Sequence, residues 1–408
     1  MKTLLNFYYS CIHGTYWMFF GVASSFASVF LLARGYSNSE IGIILAAANI
    51  LAVVLQPLIA DLADRTKKIS IIGITEIITA ALMLMTLGLF VFTGKTMALA
   101  VIFILLIAWH TVLQPFFNSL TFKLEECGVS INFGIARSMG SLAYAALVAV
   151  LGSLVEAHGV SVLPLTGEII LVMLILSLYM TKRHYNKIKA GTFEKNENSD
   201  SVKTETDSEQ DEEINLLYFI KSNKLFFIIN IGVIGLYFSN SILNSYMMQI
   251  VDAVGGSSED MGRILSLMAF LEIPTMVCFN FLRKKFSCRL MLQVASIGFT
   301  VKIFLCWIAQ SVAMIFIAQL FQLVSFALFL PAMVHFINEI MRRGEAVKGQ
   351  ALFTTMVTIT TVFASLAGGV ILDVSGAKTL TAAATAATAA GAVIIIAAIS
   401  TFNKRHSA

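Results

Sequence analysis

Long apolar runs separated by short polar breaks occupy almost the whole chain, near residues 7–33, 40–61, 70–93, 96–119, 130–155, 161–181, 225–250, 261–282, 288–309, 311–338, 350–372 and 378–402. A helix crosses a hydrocarbon core of ~30 Å with about 20 mostly apolar residues, so each run predicts one membrane-spanning helix. Barrel strands would be about half as long and would alternate apolar with polar positions. The pattern therefore predicts an all-α membrane protein of 12 transmembrane helices, called here the first to twelfth spans.

The runs fall six and six around one polar stretch, which divides the chain into a bundle at 1–181, a linker at 182–224 and a second bundle at 225–408. The linker opens with the basic KRHYNKIK and turns acidic and serine-rich through NENSDSVKTETDSEQDEE. With no periodic apolar face it predicts a largely disordered tether. Pro57, Pro115, Pro164, Pro274 and Pro331 all fall within the spans, where they predict bends.

Composition agrees with the membrane reading: 58% of residues are hydrophobic and only 13% charged. The formal charge of +4 does not call for nucleic acid, because Lys and Arg lie scattered in the breaks between spans. With the N-terminus in the cytoplasm, 22 of the 28 basic residues fall on the cytoplasmic side and four outside, leaving Arg137 and Lys302 within spans. This bias predicts that both termini are cytoplasmic. The five cysteines, Cys11, Cys127, Cys278, Cys288 and Cys306, form no CxxC pair and predict neither disulfides nor a metal site. No Walker A, HExxH or GxSxG pattern occurs, so the sequence predicts no enzyme, no cofactor and no ATP as driving force.

The breaks after the second and eighth spans correspond, the first reading ADLADRTKKIS from Ala60 and the other LRKKFSCR from Leu282. A repeated six-helix unit around a midplane cavity points to a transporter. At Asp61, Asp64, Arg65 and Lys68 the chain resembles the major facilitator superfamily in its loop between helices 2 and 3, with Ala60 and Lys67 replacing two glycines of that pattern. The resemblance implies that this loop biases the transporter between outward and inward states.

A narrower likeness joins IGIILAAANILAVVLQPLIADLADR from Ile41, FGIARSMGSLAYA from Phe133 and LEIPTMVCFNFL from Leu271 to the lactose permease group of oligosaccharide/proton symporters. The aromatic-acid (phenylpropionate) permeases are similar over the same stretches, most plainly from Glu272 through His335. By that resemblance Arg137 and Glu272 match the arginine and carboxylate that bind sugar hydroxyls, and Tyr144 matches the tryptophan on which the sugar ring stacks. Asn118 or Ser119 lies at the helix 4 glutamate, and Lys302 at the helix 9 arginine. The histidine and glutamate of helix 10 fall at Gln322 and Ser325, the two helix 7 aspartates near Phe238 and Ser241, and the helix 11 lysine near Val362, so that permease's full proton relay is missing.

The residues carry a reading of their own. An ionisable group at mid-span costs about 2.5–3.5 kcal/mol on insertion scales and should face a cavity or a partner. Arg137, Glu272 and Lys302 are such groups. An Arg137–Glu272 pair would join the two bundles, either as a substrate and proton site or as a structural salt bridge. Burial favours neutral Glu272 while nearby cations favour its ionised form, so substrate competing for Arg137 would change its proton affinity. His110, one and two turns before Gln114 and Asn118, is a candidate cavity residue; His13 and His335 read as packing, Glu76 and Glu168 as interfacial, and the aromatics from Tyr8 to Phe20 as mostly interface anchors.

These readings predict a monomeric secondary transporter of a bacterial cytoplasmic membrane, carrying a small polar organic solute with protons by alternating access. A sugar or glycoside comes first and an aromatic carboxylate second, with a drug/proton antiporter third if the cavity is mainly aromatic and Met-lined. An anionic substrate would need one cation free of Glu272. A receptor or scaffold signalling through the acidic linker is the reading from another class, and deletion of residues 194–213 separates it from a transporter.

Overall fold

The computed structural model describes residues 2–65, 70–125, 129–193, 223–341 and 345–407, and these form helices and short connections without a strand. Among the described residues, ten helices have the length and apolarity to cross a membrane. A bent pair, Thr3–Ser25 with Ala27–Ala33, makes an eleventh span. The last helix, Ala346–Ser407, is broken at Gly376, whose φ of 79° and ψ of 177° lie outside helical space. Dividing it there yields the twelve expected.

Local chemistry sets most of the ends. Ser70, Asn132 and Ser287 accept backbone N–H bonds at the starts of Ile71–Val91, Phe133–His158 and Cys288–Ile308, and Ser257 with Asp260 forms a capping box ahead of Ser258–Lys285. Pro57, Pro115, Pro274 and Pro331 lie inside helices as expected. Pro164 also lies in a helix, as the third residue of Val162–Phe193, in a first turn whose N–H groups need no helical partner. That sixth helix also continues 12 residues past the expected end of its span, because the basic KRHYNKIK keeps helical propensity. The rest of the linker, 194–222, lies outside the described residues.

Three spans leave α-helical geometry within their length. The first has a π-turn at Gly21–Ser25, closed by Phe26 N–H bonding to the Gly21 carbonyl at 3.1 Å; the seventh leaves helical geometry at Tyr246. The tenth passes through a 3₁₀ turn, Leu320–Val324, into Ser325 at φ −104° and ψ −104°. Backbone groups freed by a break in lipid must be met by neighbours, and Thr275 Oγ1 donates to the Leu323 carbonyl at 3.0 Å.

The two bundles meet at the end of the molecule away from the N-terminus. One apolar core there runs from the N-terminal bundle into the seventh and eighth spans through Ile242, Tyr246, Ile250, Met261 and Leu265. The remaining half of the C-terminal bundle has a separate core around Phe226, Phe299, Phe329 and Phe336. Hydrogen bonds between described residues that cross from bundle to bundle gather at the same far end. Asp373 accepts from the Asn38 backbone N–H at 3.0 Å, the Ser39 N–H at 2.7 Å and Asn38 Nδ2 at 2.9 Å, thereby capping the second span. Gln249 Nε2 adds a bond to Asn38 Oδ1 at 2.9 Å.

Glycines complete this closure. Gly42 lies against the Ser365 carbonyl and Gly369 against that of Asn38, while Gly152 meets Ser258 and Gly262 meets Val148. A Cβ at any of these positions would overlap backbone across the seam, so only glycine permits the approach. The molecule is closed at this end.

Replacing Asp373 with Ala should open the far seam more often. Losing one such cap corresponds to about 1–2 kcal/mol, or roughly 5- to 30-fold in the opening equilibrium. In a background freed of native cysteines, a cysteine at Ser365, which is buried at the seam, should react correspondingly faster with an impermeant maleimide from that side. An unchanged labelling rate would mean that Asp373 does not hold the seam.

Candidate functional site

The polar side chains inside the spans form two groups, one per bundle. In the C-terminal bundle Lys302 is buried, at 1% exposure, and its Nζ donates to Gln322 Oε1 at 2.5 Å. Gln322 Nε2 in turn donates to Glu272 Oε1 at 2.8 Å. Ninth, tenth and eighth spans are thus linked as ammonium, amide and carboxylate. An ammonium can only donate and an ionised carboxylate only accept, so the chain fixes which way the Gln322 amide points. The 3₁₀ turn of the tenth span puts Gln322 between the two charges.

In the N-terminal bundle a cavity of about 80 Å³ is lined by His13, Tyr16, Trp17, Gln114, Phe117, Asn118, Phe133 and Arg137. The Arg137 guanidinium lies over the Trp17 ring, 4.2 Å from its centroid, and Nη1 donates to Ser141 Oγ at 3.0 Å. A stack of this kind stabilises by about 0.5–2 kcal/mol. His13 Nε2 and Tyr9 Oη are 2.9 Å apart, and Tyr9 Oη reaches Thr121 Oγ1 at 2.6 Å and donates to the Phe117 carbonyl at 3.0 Å.

The structure brings Arg137 together with Asn118, and Glu272 with Gln322 and Lys302, but the expected direct Arg137–Glu272 pair is not made. Among the described residues Arg137 has no carboxylate within 4.0 Å, because its side chain turns toward Trp17 on its own bundle. Three further candidates belong to neither group. Tyr144 Oη lies 2.9 Å from Ser25 Oγ beside the π-turn, and Ser119 Oγ donates back to the Phe116 carbonyl at 3.0 Å. His110 stacks on Tyr16 with centroids 4.4 Å apart, its Nε2 lies 3.2 Å from the Tyr16 carbonyl, and its buried Nδ1 has no partner among the described residues.

The expected loop residues Asp61 and Arg65 lie in the last turns of the second-span helix, Asn38–Arg65, where Arg65 Nε donates to Asp61 Oδ1 at 2.8 Å. Lys68 and the Asp64 side chain lie outside the described residues. Glu76 pairs with Lys182 at 2.5 Å, which ties the third span to the sixth, and His335 stacks on Phe279 with Arg283 Nη1 2.9 Å from its Nδ1.

Trp17 and Tyr16 line the cavity although the first-span aromatics read mainly as interface anchors. His13, read as a packing residue, also lines it. Phe133 and Phe117 carried no signal in the sequence. A usable one existed for the first span: Trp17 lies four residues after His13, on the same helical face, and such a face is too polar for lipid.

The MFS_1 like family matches residues 9–383. In fold the chain is similar to the crystal structure of the nucleoside transporter NupG, with a TM-score of 0.74 at 12% identity over 98% of this chain and 99% of that one. It is also similar to a bacterial homolog of the human lysosomal transporter Spinster, inward-facing and unoccupied, with a TM-score of 0.64 at 14% identity over 99% and 98%. An auto-inhibited POT family peptide transporter gives a TM-score of 0.70 at 8% identity over 99% and 96%. No match to this chain was found among curated proteins.

Gln322→Leu should leave both the Lys302 ammonium and one Glu272 oxygen without their partner, and a hydrogen bond to a charged group contributes about 1.5–3 kcal/mol. Thermal unfolding in detergent should therefore shift down by several degrees. Adding Lys302→Met to Gln322→Leu should recover part of that loss, since the unpartnered ammonium is gone. Strict additivity of the two substitutions would refute the linkage.

Proposed function

The chain belongs to the MFS_1 like family and is a membrane transporter of the major facilitator type, and on that premise we propose that it carries a small organic anion built on a flat ring, taken up together with a proton. The observation that carries this reading is the separation of the two cations. Glu272 is engaged with Lys302 through Gln322, while Arg137 sits at the cavity wall over Trp17. A cation in a low-dielectric cavity calls for a counter-charge, and a planar guanidinium grips a carboxylate with two parallel bonds. Four aromatic and four polar residues line the cavity, with no methionine among them, which favours a defined polar solute over a drug-type substrate.

In this reading Glu272 takes the proton. Its engagement with the Gln322 amide leaves the second carboxyl oxygen to exchange a proton, and a substrate carboxylate that draws on Arg137 weakens the cationic field that favours the ionised form of Glu272. Substrate and proton would then bind together. The far seam is closed in this conformation, and reopening it while the near end closes around the loaded cavity would complete alternating access.

The sequence expectation of a sugar or glycoside is the second reading. The Gln114 and Asn118 amides on the cavity wall favour it, since amides suit hydroxyls, and NupG, similar in fold, is named a nucleoside transporter.

Charge separates the two. Arg137, Lys302 and ionised Glu272 carry a net single positive charge; a proton with a monovalent carboxylate leaves it unchanged, whereas a proton with a neutral glycoside adds one. In proteoliposomes facing a panel of aromatic acids, glycosides and nucleosides, uptake of the carboxylate should be driven by a pH gradient and insensitive to a valinomycin-imposed potential. Glu272→Gln should abolish gradient-driven accumulation while leaving counterflow exchange. Uptake of a neutral glycoside accelerated by an inside-negative potential would replace the first reading with the second.

A further inference from the structure

Resting on the transport reading, we infer that Trp17 is the platform on which the substrate ring stacks, and that Arg137 holds that place in the empty transporter until the ring takes it. The inference starts from how firmly the indole is held. Gly140 lies flush against it, so that a Cβ there would overlap the indole. Tyr16 and Phe20 meet it edge-on at centroid separations of 5.4 Å and 5.3 Å. What covers its face is the guanidinium, on a long side chain whose recorded hydrogen bond goes to Ser141, one turn away on its own helix.

The cavity beside this stack is too small for a ring while the guanidinium stays. An apolar cavity of ~150 Å³ takes up benzene, and this one measures about 80 Å³. Sliding the arginine off the indole frees both a flat aromatic face and a bidentate donor in one movement. The ring then stacks where the cation was, and the released guanidinium turns to the anionic group of the same molecule. The two contacts exchange cation–π for ring stacking and an unpaired cation for an ion pair.

Tyr144, which holds the equivalent place by the family resemblance, is unsuited to this role. Its hydroxyl is bound to Ser25, its ring packs on Gly21, and Phe20 approaches it at 6.1 Å. It does not line the cavity.

The chain has three tryptophans, so Trp109→Phe with Trp307→Phe leaves Trp17 as sole emitter. The purified full-length protein would be titrated with benzoate, 3-phenylpropionate, 4-nitrophenyl β-galactoside and adenosine, and the same compounds tested for uptake in proteoliposomes. Any compound carried should change Trp17 emission saturably, at a concentration matching its half-saturation for uptake. Trp17→Leu should raise that half-saturation about tenfold and Trp17→Phe two- to threefold, as expected for loss and partial retention of a stacking surface, with Tyr144→Phe near wild type. If Trp17→Leu does not accumulate in the membrane, Trp17→Phe and the emission titration decide alone. Uptake that leaves Trp17 emission unchanged, or a larger effect from Tyr144→Phe than from Trp17→Phe, overturns the assignment while leaving the transport reading intact. No uptake or exchange of any of the four by wild type overturns both.

Discussion

The bilayer's intolerance of an unpartnered charge governs this molecule. Arg137, Lys302 and Glu272 lie deep in its spans, two basic groups and one acidic, and the layout of the site follows from how they are accommodated. Lys302 reaches Glu272 only through the Gln322 amide, an arrangement that needs the tenth span to break its helix at that level. Arg137 is left to an aromatic face. An indole quadrupole attracts a cation but does not neutralise it, so the cavity retains positive character. The same low dielectric that makes the residual charge costly makes it selective.

The path from sequence to architecture was direct where one physical rule dominated. Runs of apolar residues at the thickness of a bilayer gave all twelve spans, with boundaries near those observed, since hydrocarbon tolerates no other backbone solution for segments of that length. Breaks within spans were less visible. Pro57, Pro115 and Pro274 mark helices that stay continuous, whereas the π-turn at Gly21–Ser25 and the departure at Tyr246 lie where no proline stands. They follow from packing: Gly21 sits against Val148 and Tyr144, and the Tyr246 hydroxyl reaches the Ser365 carbonyl at 2.5 Å. Such contacts are between spans distant in sequence and leave no local pattern.

The site was legible as a set of residue types and not as a set of partners. Arg137, Glu272 and Lys302 stood out because charge is rare in a span, but their pairing depends on side-chain direction. The need of a mid-span charge for a partner brought Arg137 toward Glu272 across the bundles; the structure turns it to Trp17 on the first span. Gln322 entered as a position where a titratable family residue was lost, and it emerges as the member that joins the other two.

The far seam is built from Gly42, Gly152, Gly262 and Gly369 meeting backbone across the gap. Backbone contacts have no rotamers, so no single side chain can swing aside to admit a water or an ion. The seam opens only by displacement of whole helices, and partial leakage is therefore suppressed by construction. A membrane transporter depends on that property between turnovers as much as on any group that binds the cargo.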